Sequence, residues 1–210
     1  MQKNNLVSEQ VPDFYNNKDL IFDEIWTLLA RGVVDRSEDF RLPTVIVNKG
    51  EFSDGRIVVL RGAFKEKRVL RFHTDLRSSK ISALKNNNNI YFLFYNKKRK
   101  IQVRAKGVAT IHYQDEVTKE AWAKTQVISR KCYLASQAPG SVSDTPHPGY
   151  PKELEGKNPN IEDTEIGFDN FCVIESKINE MEWLYLASQG HRRAKILIKD
   201  QEIITDWLTP

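Results

Sequence analysis

The sequence predicts a mainly β domain, an antiparallel sheet closing on itself as a small barrel with α-helices packed around it. Three observations carry this expectation. From Arg41 onward, short runs rich in Val, Ile, Leu and aromatic residues follow one another closely, the density of a barrel rather than of helix-linked parallel strands. Several links between these runs are short and charged, "AFKEK" after Gly62, "NKKRK" at Asn96 to Lys100 and "KDQ" at Lys199 to Gln201, as exposed hairpin ends should be. Helical periodicity, by contrast, is confined to three places.

The first is Asp19 to Arg31, "DLIFDEIWTLLAR", where Leu20, Ile21, Ile25, Trp26, Leu28 and Leu29 form an apolar stripe. Asn16 and Asn17 are candidate caps and Gly32 a candidate stop, so a helix spans about 15–32. Six or seven strands follow, read from "LPTVIVNKG", "RIVVLRG", "KRVLRFHT", "NIYFLFYN", "IQVRAKGVATIHY", "FDNFCVIESKINEMEWLYL" and "RRAKILIKD". Two helices interrupt them, at about Ser78 to Asn86 and Asp115 to Val127, the second with acidic residues in its first turn, where the helix dipole favours them. From Ala138 to Gly167 the chain is rich in Pro, Gly and acidic residues; it reads as a long loop (about 138–167), of the kind that is usually functional or mobile.

With 210 residues, 40% of them hydrophobic, and no biased tract, the chain suits one domain over 1–210 with a sizeable core. No apolar run is long enough to span a membrane, and "MQKNNLVSEQVPDFYNN" lacks the pattern of a secretory signal, which points to the cytoplasm and against a membrane partner. Cys132 and Cys172 stand alone in apolar surroundings and read as buried thiols, with no spacing for a metal or a disulfide. The net charge of +4 is too mild to argue for nucleic acid, and "KKRK" at Lys97 to Lys100 reads as a solvated hairpin tip. Trp26 and Trp122 lie on apolar helix faces and belong to a core or a subunit contact; His112 and His147 have no partners at metal or triad spacing.

The polar residues that periodicity leaves unexplained concentrate in "FHTDLRSSK", Phe72 to Lys80. Thr74, Arg77, Ser78, Ser79 and Lys80 can each hold a phosphate oxygen by hydrogen bond or charge. If "RIVVLRG" and "KRVLRFHT" pair as a hairpin, Arg56 at the start of the first comes close to Thr74 at the end of the second. Ser78 falls near the first turn of the following helix, where free N–H groups favour an anion.

In order, "RIVVLR", "FHTDLRSSK", "FLFYNKKRKIQVRAKGVA", "YLASQAPGS" and "EWLYLASQGHRRAKI" resemble the pyridoxamine 5′-phosphate oxidase family of FMN-binding split barrels, over about Leu42 to Leu197. The resemblance implies a homodimer with FMN at the subunit interface. It implies that Arg56, Thr74 and Lys80 hold the FMN phosphate and ribityl chain, that Gln102 reaches the flavin, and that Gln137, Trp183 and Arg193 approach it from the partner chain. Arg61, His73 and Ser79 stand where the family has a lysine, a tyrosine and an arginine, and Arg77 would restore the charge lost at Ser79. For the substrate, His191 survives as the candidate catalytic residue, while Gln189 replaces an arginine, and Glu120, Lys124 and Ile128 match the family's substrate-phosphate helix weakly. An acidic Glu120 would repel a phosphate. The implied protein binds FMN and is an oxidoreductase of unknown substrate, a poor oxidase of pyridoxamine phosphate with a pocket for something larger or less anionic. The alternatives are a flavin- or haem-binding barrel without turnover and, more remotely, a nucleic-acid binder using the basic hairpin.

Overall fold

The computed structural model describes residues 11–200 and 202–210, so the first ten residues and Gln201 of the last predicted hairpin link lie outside it. Five α-helices, α1 (Ile21–Val34), α2 (Ser79–Asn86), α3 (Glu116–Lys124), α4 (Val127–Arg130) and α5 (Ile161–Glu165), flank nine strands. The strands are β1 (Thr44–Lys49), β2 (Phe52–Ile57), β3 (Leu60–Phe64), β4 (Val69–Asp75), β5 (Asn89–Asn96), β6 (Ile101–His112), β7 (Phe171–Tyr185), β8 (Arg192–Lys199) and β9 (Glu202–Leu208). All pair antiparallel, in the order β2-β1-β5-β6-β7-β4-β3, with β8 and β9 continuing from β7.

Mainly β with flanking helices is therefore correct, but two details are not. The described residues form nine strands rather than six or seven, because "RIVVLRG" is divided between β2 and β3 at Val58 and Val59 and because the C-terminal segment forms β9. The sheet also stays open. β2 and β3 are edges of it, as is β9, and the break between β2 and β3 is tied by a hydrogen bond from Val58 N–H to the Pro43 carbonyl instead of a ladder.

The long β7 makes the architecture. Its first part, Phe171 to Lys177, pairs with β4, its second, Glu180 to Tyr185, with β8, and β6 lies along both. The change of partner coincides with a bulge, where Gly107 opposes Ile178 and Lys106 opposes Glu180, leaving Asn179 without an opposite residue. A Cβ at Gly107 would run into the Lys177 backbone, so the crossing needs glycine.

The core lies between this sheet and α1. Ile21, Ile25, Leu28 and Leu29 recur at helical spacing and are fully buried against Leu60, Leu70 and Phe72 of the sheet. Gly32 does not stop the helix. It sits inside α1 where a Cβ would come within 2.7 Å of the Phe40 backbone, so glycine allows a close approach there. Trp26 and Trp122 are both buried, the latter in a smaller cluster with Ala121, Phe171 and Val173. α3 is capped by Asp115, whose side chain accepts from Thr118 N–H. The segment from 138 to 167 is not structureless. It carries a 3-10 turn (Lys152–Leu154) and α5, and the Lys131 ammonium fastens it through the Leu154 and Lys157 carbonyls and the Tyr150 ring. Arg130 and Trp122 Nε1 both bond to Glu165. Cys172 is buried, its thiol pushed up to about 12 by desolvation, whereas Cys132, expected to be buried, is exposed. No helix among the described residues is long and apolar enough to cross a membrane.

Candidate functional site

The break between β2 and β3 opens a cavity of about 420 Å³, walled by Arg56, Arg61, His73, Thr74 and Lys80. Arg56 belongs to β2, which pairs with β1 and not with β4, so it meets Thr74 across the break rather than across the predicted hairpin. Residues Thr125, Ile128, Ser129, Cys132 and Tyr133, from the end of α3 through α4, close the opposite wall.

Lys80 is the centre of the arrangement. Its ammonium is buried in the first turn of α2 and donates to Thr74 Oγ1 at 2.6 Å and Ser78 Oγ at 2.9 Å. Ser78 is the N-cap residue of α2, and its side chain makes no cap bond there, leaving the helix N-terminus without that internal acceptor. Among the described residues no carboxylate bonds to Lys80, so burial, followed by repulsion from Arg56, pulls its ordinary value of 10.5 down to about 8. Arg56 is shared between Asp54, with which it is ion-paired, and Ser79 Oγ at 3.4 Å. His73 is pushed down to about 3 by burial, then by Arg61 and Arg71, and is a neutral imidazole packed edge-on to Phe171. Burial likewise lowers Arg61, for which no hydrogen bond or ion pair appears among the described residues, and Arg41 adds to the effect. A buried ammonium, a guanidinium, two hydroxyls and a helix N-terminus around one cavity fit a phosphate monoester, whose dianion would relieve each of these unfavourable terms.

Other expected site residues are placed elsewhere. Arg77 does not restore the missing phosphate charge, because its guanidinium is paired with both oxygens of buried Asp75, at 3.0 and 2.7 Å, and reaches the Ala135 and Ser136 carbonyls. Trp183 is fully buried in the core, stacked on Tyr185 and edge-on to Phe14, and lines none of the cavity with Arg56. Gln102 sits mid-sheet opposite Tyr95 and Leu184 and lines none of the cavity with Arg56. Gln137 lines a different hollow, beside Cys132 and His147. His191 and Arg193 line a third, with Asn16 and Trp207, and Arg193 is ion-paired with Glu182 at 2.7 Å. Glu120 is exposed and bound to Lys124 at 2.5 Å, away from the cavity wall, while Ile128 is in that wall.

Sequence reasoning missed Asp54 and Tyr133. Asp54 had a signal, since residues two apart on a strand face the same way and an acid there meets Arg56. Tyr133, half-buried with its phenol raised by desolvation, had none.

Comparison with known proteins bears on the same stretch. Residues 25–113 match the model of the pyridoxamine 5′-phosphate oxidase, FMN-binding domain. No curated protein sequence matches. Two solved structures are similar over nearly their whole length. One is a pyridoxamine 5′-phosphate oxidase-related, FMN binding protein from Nostoc punctiforme, 20% identical with a TM-score of 0.71 over 96% of this chain and 100% of that one. The other is PhzG from Burkholderia lata in complex with tetrahydrophenazine-1-carboxylic acid, 15% identical with a TM-score of 0.69 over 96% and 98%. The matched segment contains Arg56, Thr74 and Lys80, and excludes Gln137, Trp183, His191 and Arg193. Residues 25–113 are thus similar to the pyridoxamine 5′-phosphate oxidase, FMN-binding domain, and the fold built around them is that of the two solved structures.

Proposed function

We propose that this chain is an FMN-binding flavoprotein, an oxidoreductase that works as a homodimer. The observation that carries the reading is the buried Lys80 ammonium, held by two hydroxyls beside Arg56 and bonded to no carboxylate among the described residues. When bound, FMN supplies hydride acceptance at its ring and return of the electrons to a second acceptor. The residues present bind and orient. Arg56, Thr74 and Lys80 fix the phosphate end, with Ser78 holding the Lys80 ammonium, and Tyr133 and Ile128 line the facing wall. Neutral His73 holds no proton to donate as an acid near pH 7, so its part is to pack against Phe171 and bound the cavity. Turnover of pyridoxamine phosphate is poor, because Gln189 offers a phosphate no charge.

A second reading, a flavin- or haem-binding protein without turnover, draws on the position of His191, the candidate catalytic residue, in a different cavity from Lys80. Both readings are tested on purified protein. Mass spectrometry of the released ligand should give FMN, near one per chain. Bleaching by reduced nicotinamide or an amine, with reoxidation in air, marks the oxidoreductase; FMN that no donor reduces leaves the second reading. Haem or no flavin uptake would refute the first.

A further inference from the structure

Beside the flavin-phosphate cavity lies a second one of about 310 Å³, sharing Arg61, His73 and Thr125 with it. Its wall brings together five cations, Arg36, Arg41, Arg61, Arg71 and Lys124, and no carboxylate. Three carboxylates act on them from outside the wall: Glu175 bonds to Arg71 at 2.7 Å, Glu120 to Lys124 at 2.5 Å, and Asp35 attracts Arg41. Among the described residues only two of these three carboxylates are bonded to a cation of the wall. Among the described residues Arg36 bonds to the neutral Gln126 amide at 3.2 Å, and Arg41 to the carbonyls that end α1. The guanidinium of Arg61 is disfavoured first by burial and then by the like charges of Arg41 and Arg36.

These cations stand on separate elements: the segments after α1, β3, β4 and α3. One phosphate offers its oxygens within the reach of one or two guanidinium forks. Cations spread around a cavity of this size, with Val33, Val34 and Ala121 between them, match charges held apart by a carbon frame. We infer that this cavity binds an organic acid carrying two or more carboxylates, seated next to the flavin position. That such an acid is the substrate class rests on the flavin reading; its binding does not. The excess charge also replaces the expectation of a less anionic ligand.

The test uses succinate and inorganic phosphate as probes, by calorimetric titration of the full chain at matched ionic strength, with and without FMN. Succinate should bind more tightly than phosphate to the FMN-treated protein. The double variant Arg36→Gln, Lys124→Gln changes two exposed side chains and should keep the fold, checked by its melting temperature. It should weaken succinate at least tenfold and leave FMN affinity unchanged, whereas Arg56→Ala should weaken FMN and leave succinate unchanged. Equal succinate affinity in the double variant, succinate displaced by FMN, or tighter phosphate than succinate with FMN present would each overturn the inference. Failure of FMN to bind, with succinate still dependent on Arg36 and Lys124, would sink the flavin reading and leave the acid site standing.

Discussion

FMN affinity should fall about tenfold between pH 7 and pH 9, and the fall should belong to Lys80. With its pKa near 8, the ammonium is about nine-tenths charged at pH 7 and about one-tenth charged at pH 9 in the free protein. The FMN phosphate, with a second pKa of about 6, is a dianion throughout, so only the protein changes charge. Binding the dianion favours the charged form and raises the lysine's pKa, so the complex takes up a proton as it forms near pH 8. The sign for the free protein is that of a salt-bridged carboxylate, since the folded pKa lies below the unfolded one: the unfolded chain holds the Lys80 proton up to about 10.5, so this group makes the fold more stable as pH rises from about 8. Titration in two buffers of different ionisation enthalpy measures the proton uptake directly. Lys80→Arg keeps the charge at every pH and should flatten the profile. Lys80→Met should weaken FMN at pH 7 by about 1.5 to 3 kcal/mol, the scale of a charge-assisted bond, and flatten it as well. Riboflavin, lacking the phosphate, should show no such profile. A wild-type affinity that stays constant from pH 7 to 9, or a fall retained in Lys80→Arg, would remove Lys80 from the phosphate site.

Arg56→Ala should cost FMN about 1.5 to 3 kcal/mol by the same scale, while Asp54→Asn, which releases Arg56 from its internal partner, should tighten FMN by about two- to fivefold; fluorescence quenching of the flavin measures both. Sedimentation should show a homodimer whose FMN affinity drops on dilution, and a monomer that binds FMN tightly would contradict the interface reading. Gly32→Ala should lower the melting temperature by several degrees, since overpacking against Phe40 at about 1 to 3 kcal/mol exceeds the gain of about 1 kcal/mol in helix propensity. Pyridoxamine phosphate should be turned over slowly or not at all, with Gln189→Arg raising any residual rate; efficient formation of pyridoxal phosphate by the unmodified chain would refute that reading.

What could be read from the sequence was local. The α1 stripe and the cluster at Thr74, Ser78 and Lys80 are written within one element or one turn, where side-chain period and capping chemistry decide position. The division of "RIVVLRG" was not legible, because two adjacent apolar residues continue a strand as well as they break it. Gly32 has the spacing of a helix stop, and only the passage of Phe40 behind it shows why the helix continues. Trp183 was placed beside the flavin by a motif, whereas strand alternation after an unseen bulge turns it into the core. The five cations of the second cavity come from separate parts of the chain, so no window of sequence contains them.

The bulge at Asn179 has a consequence for how this chain can vary. Before it, the residues Ile174, Ser176 and Ile178 face the core; after it, Met181 and Trp183 do, a shift of one in the alternation that the extra residue absorbs. β7 therefore behaves as two strands spliced end to end, each keeping its own phase. The cradle stands against the first through β4, and the hairpin bearing His191 and Arg193 hangs on the second through β8. Loss or gain of one residue anywhere else in β7 would turn a half-strand inside out, but at the splice it changes only the twist between the halves. Natural change in the C-terminal hairpin can thus be taken up at one joint, leaving the cavity around Arg56, Thr74 and Lys80 where it is while the separate hollow at His191 and Arg193 is rebuilt.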